Sequence, residues 1–193
     1  MNRLVLVNKS NRIDEEFLKD VSLVEVLDVN NQTILVEEET YEAYLNLKEY
    51  LNHMNIIISI SSGYRSLEHQ QRVYDNFVER YGVEYAKSVV APVGCSEHHT
   101  GLAIDIDICV DGKFLTSNID LMQHEDIYLE IHKHLHKFGF ILRYMKGKEK
   151  ITGYPYEPWH LRYVGNLAND IYLSNLTLEE YLEKNFTNLK SML

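Results

Sequence analysis

Apolar residues recur along the chain in two rhythms, one near 3.6 residues and one of 2, and the segments so marked predict its elements. In "ILVEEETYEAYLNLKEYLNHMN", the positions Tyr41, Tyr44, Leu47, Leu51 and Met54 recur at helical spacing, which predicts an amphipathic helix. The β-branched run "IIISIS" (56–61), stopped by Ser62-Gly63, predicts a buried strand. A second helix follows, capped by Ser66, with Leu67, Gln70, Val73, Tyr74, Phe77 and Val78 on one face and Gly82 at its end. "EYAKSVVAP" (84–92) starts as helix and leads through Pro92 and Gly94 into "LAIDIDICV" (102–110), which alternates Ile with Asp. That alternation is a strand with 103, 105 and 107 on one face and 104, 106 and 108 on the other. Asp111-Gly112 is a hairpin signal, with Phe114 and Leu115 beginning the return strand.

Beyond this hairpin, "HEDIYLEIHKHLHKFG" (124–139) reads as one helix, followed by the strands "FILRY" (140–144) and "PWHLRYV" (158–164) across a polar loop. Short helices near 164–173 and 177–185 complete the chain, the last opening on Thr177 and Glu180, a capping-box pattern. Val5 to Val7 reads as a short strand. Helices gather first and strands later, so the expected class is α+β: a small, mainly antiparallel sheet covered by helices, in a single domain spanning 1–193.

Composition narrows the function. A chain of 193 residues with 45% hydrophobic and 25% charged residues can bury its own core. A formal charge of −10 argues against a protein that tracks nucleic-acid phosphates, which needs a basic face. The apolar run Leu4–Val7 is too short for a signal segment or a membrane span, so the protein reads as cytoplasmic. Cys95 and Cys109 are then expected as reduced thiols.

The polar residues that interrupt apolar segments carry the chemistry. His98 and Asp105 are seven apart with Gly101 between them, and a turn at Thr100-Gly101 could fold the imidazole back over the strand face carrying Asp105. Imidazole and carboxylate suit zinc, and a catalytic zinc needs three protein ligands with a fourth position open. "EPWH" offers His160 as a third ligand and Glu157 as a base for water activated by the metal, the chemistry of a metallohydrolase. Each piece alone has a plainer reading. A single loop His is usually surface or hydrogen-bonded core, Asp107 could be a solvated neighbour, and His132, His134 and His136 read as the solvated face of a helix, as do His53, His69 and His124.

Together, "SGYRSLEHQ" (62–70), "SEHHTGLAIDI" (96–106) and "GFILRY…ITGYPYEPWHLRYVG" (139–165) resemble the zinc D,D-peptidases that cleave D-alanyl-D-alanine termini of cell-wall precursors, the vancomycin-resistance type of D,D-carboxypeptidase and D,D-dipeptidase. The second block matches that family's Ser-x-His-x-x-Gly-x-Ala-x-Asp pattern, the third holds its Glu-x-x-His, and the likeness covers about 56–165. The resemblance implies zinc (Zn2+) held by His98, Asp105 and His160, Glu157 as general base, and Arg65 beside the scissile carbonyl. It further implies Ser96, Gln70 and Tyr64 as substrate-binding residues. His99 and Cys95 would be neighbours of the metal and not ligands. The zinc site would sit at the sheet face, and the substrate would be a peptidoglycan precursor peptide or free D-Ala-D-Ala. The rivals are an L,D-carboxypeptidase or stem-peptide endopeptidase with the same centre, and a non-catalytic zinc-binding recognition domain.

Overall fold

The computed structural model describes residues 2–13 and 15–191. Its strands are β1 (Leu23–Leu27), β2 (Thr33–Glu37), β3 (Ile58–Ser62), β4 (Ala103–Val110), β5 (Lys113–Leu115), β6 (Phe140–Leu142) and β7 (His160–Tyr163). Its helices are α1 (Glu15–Lys19), α2 (Glu38–Asn52), α3 (Leu67–Tyr81), α4 (Val83–Val89), α5 (Asn118–Met122), α6 (Glu125–His132), α7 (Glu149–Thr152), α8 (Ala168–Ser174) and α9 (Leu178–Ser191). Five strands form one antiparallel sheet in the order β3-β4-β7-β6, with β5 also paired to β4, and β1 and β2 form a separate hairpin. This is the small, mainly antiparallel sheet with helices that the hydrophobic pattern predicts.

The Ile/Asp alternation of β4 divides the sheet into two chemistries. Ile104, Ile106 and Ile108 are fully buried and join Ile58, Ile60 and Leu161 in the main core, against Leu47 and Leu51 of α2 and Tyr128 and Ile131 of α6. The opposite face carries Asp105, Asp107, His160 and Arg162. Register matters here: Asp105 stands directly across from His160, and Ala103 from Arg162. A bulge between Ile60 and Ser62 in β3 shifts that strand so that Ser62, not Ser61, faces Asp105.

Several elements differ from expectation. The segment "ILVE", read as the head of the α2 helix, is strand β2, because Glu37 ends the strand in an extended conformation and caps the helix, its carboxylate accepting from the backbone and hydroxyl of Thr40. Its partner β1 is a further strand, outside the expected elements; the turn joining them is closed by Asp28, whose Oδ1 accepts from the amides of Asn30 and Gln32. Val5–Val7 is not a strand: the carbonyls of Arg3 and Val5 accept from the Arg162 guanidinium instead of from a neighbouring strand. The single helix expected over 124–139 divides into α6 and a 3₁₀ turn, Leu135–Phe138, ended by Gly139. At the C-terminal helix the capping box forms as expected, Thr177 Oγ1 accepting from the Glu180 amide and Glu180 Oε2 from the Thr177 amide.

The loop after β3 is stitched to both hairpin and site. A Cβ on Gly63 would lie 2.2 Å from the Leu35 carbonyl oxygen, so the chain can pass here only without a side chain. The next amide, of Tyr64, donates to that same carbonyl, and the amide of Arg65 donates to His98. Gly63→Ala should therefore lower stability by about 2–3 kcal/mol, the upper part of the range for overpacking. Urea unfolding of the metal-free protein measures this, and a midpoint like that of the wild type would show that the contact relaxes at no cost.

Candidate active site

The 3₁₀ turn Glu97–Thr100 ends at Gly101 in the left-handed conformation, φ 70°, and turns the chain straight into β4. That reversal lays His98 over the strand that carries Asp105, as the turn at Thr100-Gly101 suggested. His98 Nε2 lies 3.3 Å from Asp105 Oδ2, and His160 Nδ1 lies 3.0 Å from Asp105 Oδ1 and 4.0 Å from Glu157 Oε2. One donor atom each from His98, Asp105 and His160 falls within 4.8 Å of the others.

The tautomer of His98 follows from its other nitrogen. Nδ1 is 2.7 Å from the Gly63 carbonyl oxygen, which can only accept, so Nδ1 carries the proton and Nε2 presents a lone pair to Asp105. Burial pushes His98 below its usual pKa against the pull of Asp105, which favours this neutral form. Two acceptors thus face each other across 3.3 Å, an arrangement that a cation between them would relieve. Burial alone would raise the Asp105 carboxyl, but His98 and His160 hold it well below the carboxylate range. Burial would likewise lower His160, yet its bond to Asp105 and the Glu97 carboxylate beside its ring raise it to about 9. Burial raises Glu157 to about 7, with Asp105 adding to the effect and His160 and Arg65 opposing it. The donor set fits zinc: two imidazoles and one carboxylate, with a second carboxylate, that of Glu157, close by and of a proton affinity that suits transfer near neutral pH.

These groups line a cavity of about 220 Å³ whose other walls include the apolar Val73, Phe77, Val89 and Val90. Arg65 enters it from the β3–α3 loop, its Nη1 donating to Gln70 Oε1 at 2.9 Å and its Nη2 to Ser62 Oγ at 3.3 Å. Gln70, buried on α3, donates in turn to the Ala91 carbonyl at 2.6 Å. Ser96 also lines the cavity, whereas Tyr64 is not among the lining residues. The structure thus brings together seven of the eight residues that the resemblance singles out, and leaves Tyr64 outside. His99 is engaged at both nitrogens, Nε2 accepting from the Gly94 amide and Nδ1 donating to the Arg65 carbonyl. Cys95 is buried and unpaired with Cys109, and lies outside the donor cluster.

Several residues around the site carried little sequence signal. Asn118, Tyr144, Tyr154 and Trp159 complete the lining. Asp107, weighed as a solvated neighbour, is buried, and burial raises it to about 6. His132, expected on a solvated face, is half-buried with Nε2 2.9 Å from the Pro158 carbonyl oxygen, and burial lowers it to about 4. The largest omission is Glu97. It is fully enclosed, and its Oε1 accepts from Arg143 Nε at 2.7 Å and Arg162 Nη1 at 2.5 Å. Arg143 also bonds Glu179 through both terminal nitrogens. The available signal was an arginine inside each of two apolar strand patterns, "FILRY" and "HLRY", since a buried guanidinium demands a carboxylate.

An antiparallel sheet bearing a His-Asp-His cluster, with a carboxylate and a guanidinium over it, has the donor set and acid–base groups of a metallohydrolase. Comparison with known proteins narrows this: residues 33–166 match the family model of VanY D-alanyl-D-alanine carboxypeptidase, and the chain belongs to that family. It is 30% identical to the bifunctional D-Ala-D-Ala dipeptidase and D-Ala-D-Ala carboxypeptidase VanXYC of Enterococcus gallinarum, over 94% of each chain. It is 35% identical to a D-alanyl-D-alanine carboxypeptidase of Enterococcus faecalis (strain ATCC 700802 / V583), covering 93% of this chain and 65% of that protein's length. Among solved structures, a VanY D,D-pentapeptidase from a VanB-type resistance cassette, a mutant in complex with Zn(II), superposes with TM-score 0.79 at 33% identity, covering 94% of this chain and 99% of that one. The LD-carboxypeptidase LdcB superposes with TM-score 0.82 at 37% identity, covering 95% and 86%. Among the described residues, no helix is long and apolar enough to cross a membrane.

The enclosed carboxylate makes the fold acid-sensitive. Burial would raise Glu97, but Arg143 and Arg162 hold it well below its usual 4.5, so below that pH the unfolded chain binds a proton that the folded one refuses. The stability from this group is therefore complete above about pH 4.5 and is lost as pH falls further. Urea unfolding of the metal-free protein from pH 7 to pH 3 should show a steeper loss for the wild type than for Glu97→Gln; parallel curves would contradict it.

Proposed function

We propose that the chain is a zinc-dependent peptidase that releases the terminal D-alanine of D-Ala-D-Ala, either at the end of a peptidoglycan precursor peptide or in the free dipeptide. The observation that carries this reading is the convergence of His98 Nε2, Asp105 and His160 Nδ1 on one point at the cavity floor, two of them acceptors with no proton between them. The zinc found in the VanY relative supports the choice of metal, and the two D-Ala-D-Ala activities of the Enterococcus gallinarum relative support the choice of bond. Bound to these three residues, zinc would supply Lewis acidity and bring water to a pKa near 7.

The remaining groups divide the work of hydrolysis. Glu157, whose Oε2 lies at the edge of the cluster, takes the proton from the attacking water and hands it to the nitrogen of the departing D-alanine. Its environment keeps its proton affinity near neutrality, so that it can do both. Arg65, held by Gln70 and Ser62 and so aimed into the cavity, supplies two guanidinium donors to the oxygen that gains charge as the carbonyl is attacked. Ser96 and the apolar wall of Val73 and Phe77 receive the short side chain and terminal carboxylate of the substrate. The likeness to LdcB favours a second reading in which the same groups cut an L,D bond.

The deciding assay is D-alanine release from free D-Ala-D-Ala, from a pentapeptide ending in D-Ala-D-Ala and from a tetrapeptide ending in a single D-alanine after an L-centre, each with and without a chelator. Chelator-sensitive release from either of the first two is expected, and release from the third alone would transfer the chain to the L,D class. Replacing His98, Asp105 or His160 by Ala should abolish zinc retention and turnover together, read by metal content per chain. Glu157→Ala should keep its zinc and lose about two to four orders of magnitude in rate. Since Glu157 acts as a base only when ionised, kcat/KM should rise with pH through its acid limb, and a flat limb in the wild type would remove it from that role.

A further inference from the structure

His160 is held on both sides of its ring, and only one side faces the donor cluster. Nδ1 points to Asp105, whereas Nε2 points away, toward Glu97 Oε2 at 3.6 Å. Both of these atoms are buried and neither has a hydrogen-bond partner. The two unpartnered atoms face each other, and a shift of a few tenths of an ångström joins them. The carboxylate cannot turn away, because its other oxygen is pinned by Arg143 and Arg162. The ring is confined as well, with Tyr144 at 4.8 Å and the edge of His98 at 5.0 Å between centroids.

We propose that Glu97 is a positioning residue for the metal centre: its Oε2 accepts the Nε2 proton of His160 and so fixes the imidazole as the tautomer with Nδ1 free to ligate. The inference rests on the zinc reading above. Glu97 touches neither substrate nor metal and acts through His160 alone. Its two oxygens have separate tasks, Oε1 for the arginines and Oε2 for the histidine, and an amide cannot perform both. In Glu97→Gln the carbonyl oxygen stays with the two guanidiniums, since an NH₂ there would meet donors. The NH₂ group then faces His160 Nε2 and makes that nitrogen an acceptor, moving the ring proton to Nδ1, the atom the metal needs. Glu179→Gln is the control: it disturbs the same arginine but lies outside contact with His160.

The test is zinc affinity, by competition with a chelating dye, for the wild type, Glu97→Gln and Glu179→Gln, with thermal unfolding of each metal-free protein alongside. The expected result is a 10- to 100-fold loss of affinity for Glu97→Gln, the usual effect of removing a group that orients a ligand, and wild-type affinity for Glu179→Gln even where its stability falls. Equal affinities for Glu97→Gln and the wild type, or equal losses in both variants, would overturn the proposal and leave Glu97 a structural residue. Long-range proton–nitrogen NMR of the zinc-loaded wild type tests it without any substitution. A protected Nε2 proton on His160 supports the assignment, and zinc ligation through Nε2 refutes it even if Glu97→Gln fails to fold. A wild type that binds no zinc would overturn the metal reading itself, an outcome distinct from zinc binding that ignores Glu97.

Discussion

The carboxylate of Glu97, enclosed between Arg143 and Arg162, is the interaction on which the polar half of the molecule depends. Two guanidiniums without partners in that interior would cost several kcal/mol each, and removing one member of such a group is far more damaging than never having built it. With Glu179 as the second acid the cluster is neutral, and every charge in it has at least two partners. The arms of the cluster reach across the chain. Arg162 gathers the carbonyls of Arg3 and Val5, Arg143 takes Glu179 at the start of the last helix, and Glu179 takes the side chain of Asn8. Segments from both ends of the sequence are thereby tied to the wall behind the site.

The sheet turns this scaffold into a floor. Because side chains alternate along β4, the residues that build the core and those that do chemistry are neighbours in sequence and opposite in space. The apolar side is covered by α2 and α6, with Val26 and Val36 of the β1–β2 hairpin, Leu121 of α5 and Leu135 of the 3₁₀ turn joining the same core. The polar side is finished by groups from outside the sheet: the Gly63 carbonyl that orients His98, the Gln70 amide that aims Arg65, and the Pro158 carbonyl that bonds His132 beside Glu157. Preorganisation here consists of backbone and buried amides, groups that do not change charge during a reaction.

Much of this was legible in the residues themselves. The alternation in "LAIDID" revealed the central strand and its two faces, and the glycine after His98 revealed the reversal, because both rest on local rules of period and φ. The hairpin β1–β2 was hidden, since "ILVE" runs without a break into a helix and its cap is a glutamate, an uncommon choice at that position. Glu97 was hidden for a different reason: its partners are 46 and 65 residues away, and nothing local distinguishes an acid in a tight turn that faces solvent from one enclosed by arginines. His132 was misjudged because helical spacing shows which face a residue is on and not what packs over it.

The pairing of Asp105 with His160 reaches beyond the resting structure. These two residues are 55 apart in the chain and meet only because β4 and β7 align in one register; sliding either strand by a single position would set His160 opposite an isoleucine and turn its ring to the core side. His98 joins them only after the turn at Gly101 has closed. The cluster therefore has no precursor in a collapsed but mispaired chain, and its assembly is an internal check on strand alignment, as a key turns only when all its pins are level. A folding chain that has not passed that check holds three scattered side chains, and one that has passed it holds a site.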